Sequence, residues 1–165
     1  MATHAVRGEP GLGLPGTLLG AGLGGFFDGI LLHQLLQWHH MLTSTDTDRV
    51  GIRYYPADSV SGLRMNTVWD GAFHTVTWLL VLGGLALLYR NRRARMWGTR
   101  ELWGWILVGW GGFNVVEGLI DHQILGIHHV RAGPSQTWWD LAFLALGGLL
   151  IGVGLLLRRR RPGTP

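Results

Sequence analysis

Apolar residues along the chain gather into four long blocks, without the short amphipathic periodicity of a soluble fold. The blocks run from Leu12 to Trp38, Thr67 to Tyr89, Leu102 to Ile127 and Trp138 to Leu157. A hydrocarbon core about 30 Å thick is crossed by roughly 20 helical residues, so each block predicts one transmembrane helix. The second and fourth are almost purely apolar, reading "TWLLVLGGLALLYR" and "LAFLALGGLLIGVGLLLRRRR", whereas the first and third carry ionisable residues within the span. The pattern predicts an all-α integral membrane four-helix bundle forming one domain over residues 1–165. Its spans fall at about 12–40, 67–90, 102–129 and 138–157, with an external loop at about 42–66, an Arg-rich cytoplasmic loop at 90–100 and a cytoplasmic tail at 158–165. A cleaved signal peptide is a poor reading of the first block, because its polar motif recurs in the third.

Charge placement sets the expected orientation. The sequence has no lysine, so its 14 basic residues are all arginine. Arg7, Arg90, Arg92, Arg93, Arg95, Arg100 and the run Arg158 to Arg161 fall on one side of the four spans, and Arg49, Arg53, Arg64 and Arg131 on the other. The positive-inside rule then places both termini in the cytoplasm. These clusters flank spans of membrane length, which argues against nucleic acid as the partner and for the lipid bilayer. Cysteine is absent, which excludes disulfides, zinc–thiolate sites and a thiol nucleophile. Gly16, Gly20 and Gly24, then Gly25 and Gly29, and Gly148 with Gly152 recur every four residues, a spacing that predicts close helix approach.

An internal repeat carries the candidate chemistry. "DGILLHQLLQWHH" (Asp28 to His40) aligns without a gap on "EGLIDHQILGIHH" (Glu117 to His129), 89 residues later. The match keeps His33/His122, Gln34/Gln123, His39/His128 and His40/His129 and replaces Asp28 by Glu117. A Trp-Asp pair opens each following span, Trp69-Asp70 and Trp139-Asp140. The chain therefore reads as two tandem two-helix units, parallel because both histidine helices point the same way.

Ionisable residues inside a span cost several kcal/mol unless paired, hydrated or metal-bound, and so mark a site. Imidazole with carboxylate suits iron, copper, zinc or manganese, and two equivalent halves suit a binuclear centre. The expected core ligands are His33, His74 and His122 with Asp28 and Glu117. His40, His129, His39 and His128 form an outer entry or second site, and Asp121, Gln34 and Gln123 support it. On a regular helix Asp28 and His39 share one stripe and His33 and His40 another, with His33 about 10 Å below His40. Asp70 and Asp140 read first as helix caps, and Met41 first as an apolar residue at the interface, with a soft ligand as the alternative if the metal is copper. Two other readings stay open: His33 and His122 as axial ligands of a b-type haem, and a hydrogen-bonded polar network between helices. No catalytic residue follows from the spacing. A metal-dependent oxidoreductase or hydrolase acting on a membrane-soluble substrate and a metal carrier remain alternatives.

The motifs "GFFDGILLHQLLQWHHM" and "NVVEGLIDHQILGIHHVR", joined by "NTVWDGAFH", resemble a bacterial family of small four-span membrane proteins catalogued as domain of unknown function 2243. The resemblance covers about residues 14 to 157. It implies the bacterial inner membrane, and it hints at copper or haem handling beside respiratory-oxidase assembly factors. A homo-oligomer or a respiratory-complex partner would fit such a role.

Overall fold

The apolar blocks are helical in the computed structural model, which describes residues 11–43, 54–92 and 98–158. The N-terminal segment, the loop centre at 44–53, most of the Arg-rich loop at 93–97 and the tail from 159 lie outside the described residues. Helix α1 (Gly13–Phe27) runs directly into a π-helical stretch, π1 (Asp28–Leu35). Helix α2 covers Val60–Asn91, α3 covers Thr99–Glu117 and runs into π2 (Gly118–Leu125), and α4 covers Gln136–Arg158. All four chain segments expected to be helical are helices, and no strand occurs among the described residues.

Three of them are long and apolar enough to cross a membrane: Gly13–Leu35, Val60–Asn91 and Gln136–Arg158. The segment from α3 through π2 is not in this set, because Asn114, Glu117 and Asp121 interrupt its apolar run. The helices pack as a row in which α1 lies against α2 and α3, and α3 against α4. This differs from a closed bundle: the two histidine-bearing helices form the central pair, with α2 and α4 flanking them. Half of the α1 span is buried, against 17% for each of α2 and α4.

Glycine makes the row possible. A Cβ at Gly20 would overlap the Ile106 carbonyl of α3, one at Gly22 would meet Thr77 O of α2 at 2.7 Å, and one at Gly104 would meet Gly154 O of α4 at 2.8 Å. The expected stripe on α1 is used, with Gly16, Gly20 and Gly24 facing α3 and Gly25 and Gly29 facing α2. On α4 the contact runs through Gly147 and Gly154, whereas a Cβ at Gly148 or Gly152 would point into open space. At one end of the row Leu12, Leu19, Leu88 and Ile106 form an apolar core with Trp105. The other end is polar.

The polar end begins where the helices change pitch. A regular helix would carry the first histidine motif as far as His40, but π1 ends at Leu35 and closes with a Leu36 N to Leu31 O bond of 2.8 Å. Trp38 N then bonds Leu32 O at 3.0 Å, and Ile127 N bonds Asp121 O at 2.9 Å in the same way after π2. The reversal needs a left-handed residue, which is Gln37 (φ 48°) in the first motif and Gly126 (φ 62°) in the second. π-turns widen the helix by one residue and occur frequently at functional sites.

Helix α2 also departs from expectation by starting at Val60, inside the stretch expected to be a loop. Ser59 caps it by accepting from Gly62 N at 3.1 Å. Gly62, Asn66 and Asp70 then lie buried four residues apart on one face. Asn66 is why this polar turn is helical: it accepts from Leu42 N at 2.8 Å and donates to Tyr55 O at 2.7 Å.

The left-handed turns generate a prediction. Glycine adopts φ > 0 freely, whereas a side chain there costs about 1–2 kcal/mol. Gly126→Gln is expected to destabilise the protein by about that amount in thermal unfolding in mild detergent. Gln37→Gly is expected to leave stability unchanged or raise it slightly.

Candidate metal centre

Two carboxylates organise the site. Asp70 accepts from His33 Nδ1 at 3.0 Å, His40 Nδ1 at 2.6 Å and Met41 N at 3.0 Å, with Gln34 Nε2 at 3.4 Å. Asp140 stands in the same relation to the second motif. It accepts from His129 Nδ1 at 2.7 Å and Val130 N at 3.0 Å, with Gln123 Nε2 at 3.5 Å, and His122 Nδ1 lies 3.5 Å away without making a hydrogen bond. Each partner of Asp140 stands 89 residues after a partner of Asp70. Neither aspartate is a helix cap. Asp70 lies well inside α2, and Asp140 lies one turn into α4.

Because Nδ1 of His33 donates to a carboxylate, the neutral ring presents Nε2 as an acceptor. That nitrogen lies 3.0 Å from Asp28 Oδ2 without the alignment of a hydrogen bond. His39 is held likewise, its Nδ1 donating to Val130 O of the other motif at 2.9 Å. His128 Nε2 lies 3.3 Å from Glu117 Oε1. The rings converge: His33 and His39 centroids are 4.3 Å apart, His39 stacks on His128 at 4.7 Å, and His122 lies 4.9 Å from His128.

This cluster is dry. His33 and His128 are 0% exposed, and Asp28, His39, Glu117 and His122 are buried around them. Within it His33 Nε2, His39 Nε2, both ring nitrogens of His122, His128 Nδ1, Asp28 Oδ2 and Glu117 Oε2 have no hydrogen-bond partner. Leaving a buried polar atom unsatisfied costs about 1–3 kcal/mol, so such a concentration calls for a bound ligand. His33, His39 and His128 form one group with ligand atoms within 4.8 Å of one another, and Glu117, His122 and His128 form another. Donors around a tetrahedral ion at 2.0–2.1 Å stand about 3.4 Å apart, so side-chain adjustments of the order of 1 Å would close either group.

The pitch change redistributes the expected roles. His33 and His40, expected about 10 Å apart in depth on a regular helix, both bond Asp70. His39 and His128, expected in an outer layer, lie at the centre. His40 and His129 instead join the carboxylates that hold the inner rings. His74 stands apart: its Nδ1 donates to Asp70 O of its own helix at 2.8 Å, its ring stacks on Phe26, and it enters neither group. Gln34 and Gln123 contact Asp70 and Asp140, while Asp121 lines a cleft beside Glu117. Met41 contributes its backbone N–H to the site. The central place of His39 and His128 was missed in the sequence, where only the departure of Gly126 and Gln37 from helical φ would have signalled it.

The geometry defines a helical membrane protein whose histidines and carboxylates are positioned for metal binding. The chain belongs to the family described as Predicted membrane protein (DUF2243), whose model matches residues 15–161. No curated protein and no solved structure matches it significantly.

Asp70→Ala would strip two imidazoles and a backbone amide of their acceptor in a buried site. A loss on the order of 3–5 kcal/mol is expected in thermal unfolding, as for breaking other buried charged pairs. Asp58→Ala, on the exposed turn before α2, is the control expected to have no effect.

Proposed function

We propose that this is a four-span membrane metalloprotein of the bacterial inner membrane, both termini cytoplasmic, built from two tandem parallel units that share one transition-metal centre. The observation that carries the reading is the convergence of unpartnered Nε2 atoms of His33, His39 and His122 from both motifs, the first two on rings whose Nδ1 atoms are held from outside. That is how metal-binding imidazoles are oriented and their tautomer set. His33, His39, His122 and His128 would hold the metal with Glu117 and Asp28, whose charges offset that of the ion. His128 belongs to both groups, which ties them into a single centre.

Nitrogen and oxygen donors without sulfur favour iron, zinc or copper(II). A bound ion of this kind supplies Lewis acidity, an acidic water or, for iron and copper, redox chemistry. The chain's own residues supply orientation. Asp70 keeps the proton on Nδ1 of His33 and the Val130 carbonyl keeps it on Nδ1 of His39, and burial excludes bulk water. We read the protein as a metal-dependent oxidoreductase or hydrolase acting on a membrane-dissolved molecule. Complete burial of His33 and His128 favours a retained centre over an exchanging carrier. A haem between His33 and His122 is disfavoured, because the stacked rings of His39 and His128 fill the space beside them.

Protein purified in mild detergent without added metal is expected to contain at least one equivalent of iron, copper or zinc by elemental analysis and to show no haem Soret band. His128→Ala is expected to lose that metal, and His74→Ala to keep it. Equal metal in both variants, or none in the parent after reconstitution with each ion, would overturn the reading.

A further inference from the structure

Beneath the histidines a cleft of about 390 Å³ opens between α1 and α3, and it ends at Glu117 and Asp121. Its walls are otherwise nearly apolar, including Phe73 of α2 and Phe113 of α3. Val116 at its rim is 57% exposed, on a surface that faces lipid if the chain spans the membrane as proposed. A smaller cleft of about 190 Å³, between α1 and α4, ends at Asp28. Phe73 and Phe143 flank the two clefts, each three residues after its organising aspartate. The larger cleft has Asp121 where the smaller has Leu32, so its inner end alone carries two carboxylates.

We infer that the larger cleft binds a bilayer-dissolved amphiphile with a hydroxylated ring as its head and an alkyl tail that remains in the lipid. Three observations specify that molecule. Asp121 is half-buried and lines the inner end of the cleft beside Glu117; a carboxylate oxygen is an acceptor, so the head must donate a hydrogen bond. Phe73 and Phe113, an aromatic pair with centroids 6.0 Å apart and planes inclined at 45°, both line the cleft, so a flat ring bound there meets aromatic surface by offset or edge contact. The volume also decides. A cavity of about 150 Å³ holds benzene, so this one holds a substituted ring and the first carbons of a chain but not a whole lipid.

As a statement of what the metal centre acts on, the inference rests on the function proposed above; as a binding site it stands independently, and binding and metal content are measured apart. Gly112 provides the means. It lines the cleft, and a Cβ there would meet nothing within 4 Å, so a larger side chain would occupy the cleft without displacing protein atoms. Gly148 has the same freedom but lines none of the clefts described.

The test is photolabelling of the full chain in phosphatidylcholine nanodiscs with a diazirine-bearing 4-alkylphenol, mapped by peptide mass spectrometry. Label is expected on residues 108–117 or Phe73. 4-Decylphenol should displace it roughly tenfold better than decylbenzene or decanol, the worth of one good hydrogen bond or ring contact. Gly112→Leu should reduce labelling by about tenfold or more, and Gly148→Leu should not. Ala21→Leu fills the cleft from the facing wall of α1 and provides a second reading if the first variant fails to insert. Labelling that survives both fillings, or equal competition by decylbenzene or decanol, would overturn the inference. Metal is assayed in the same samples: a metal-replete protein without specific label contradicts the cleft alone, and a labelled protein that binds no metal contradicts the centre alone.

Discussion

A carboxylate buried between two imidazoles is stable in an apolar interior only when both rings donate to it, and each donation fixes where the opposite ring nitrogen points. Asp70 imposes this constraint on the first motif through His33 and His40, and Asp140 holds the second through His129 and Val130 N. Each holds the backbone amide that follows its histidine pair, closing the chain back onto its neighbouring helix. Once Nδ1 of His33 faces outward to Asp70 and that of His39 to the Val130 carbonyl, their Nε2 atoms face inward to a space shared with the other motif. The unpartnered atoms at the centre follow from the satisfied ones around it.

The packing of the helices serves this arrangement. Backbone approach at glycine, where lipid supplies no hydrophobic drive between helices, brings α1 and α3 together along their length. The histidines just beyond their π-helical ends then meet, His39 stacking on His128. The flanking helices contribute little to the apolar interior, yet they carry Asp70 and Asp140, which explains why two mostly exposed helices bear buried polar residues at corresponding places. Apolar packing gathers at the end near Leu12 and Ile106, leaving the opposite end to hydrogen bonds and ring contacts.

Much of this was legible in the sequence, for definite reasons. Apolar blocks of membrane length predict helices because the bilayer admits few alternatives for the backbone, and all four blocks are helical. The aligned motifs identified the histidines and carboxylates that cluster. Their relative positions were not legible. A regular pitch of 3.6 residues assigns His33 and His40 to one stripe and His39 to another. A π-turn followed by a left-handed residue breaks that arithmetic, and nothing in "LLHQLLQWHH" marks the break except comparison of Gln37 with Gly126. His74 is placed differently: its Nδ1 is satisfied on the carbonyl four residues earlier, and its buried Nε2 lies outside both ligand groups. The extra turns of α2 were hidden because Asn66 reads as a loop residue until its partners, Leu42 and Tyr55, are known.

The central claim is that imidazoles from both motifs bind one metal centre, and X-ray absorption at the metal edge of the detergent-purified protein tests it most directly. The account predicts a first shell of nitrogen and oxygen only, near 2.0–2.2 Å, with the outer-shell scattering of two or more imidazole rings per ion. A shell of water or carboxylate oxygens without imidazole scattering would contradict it.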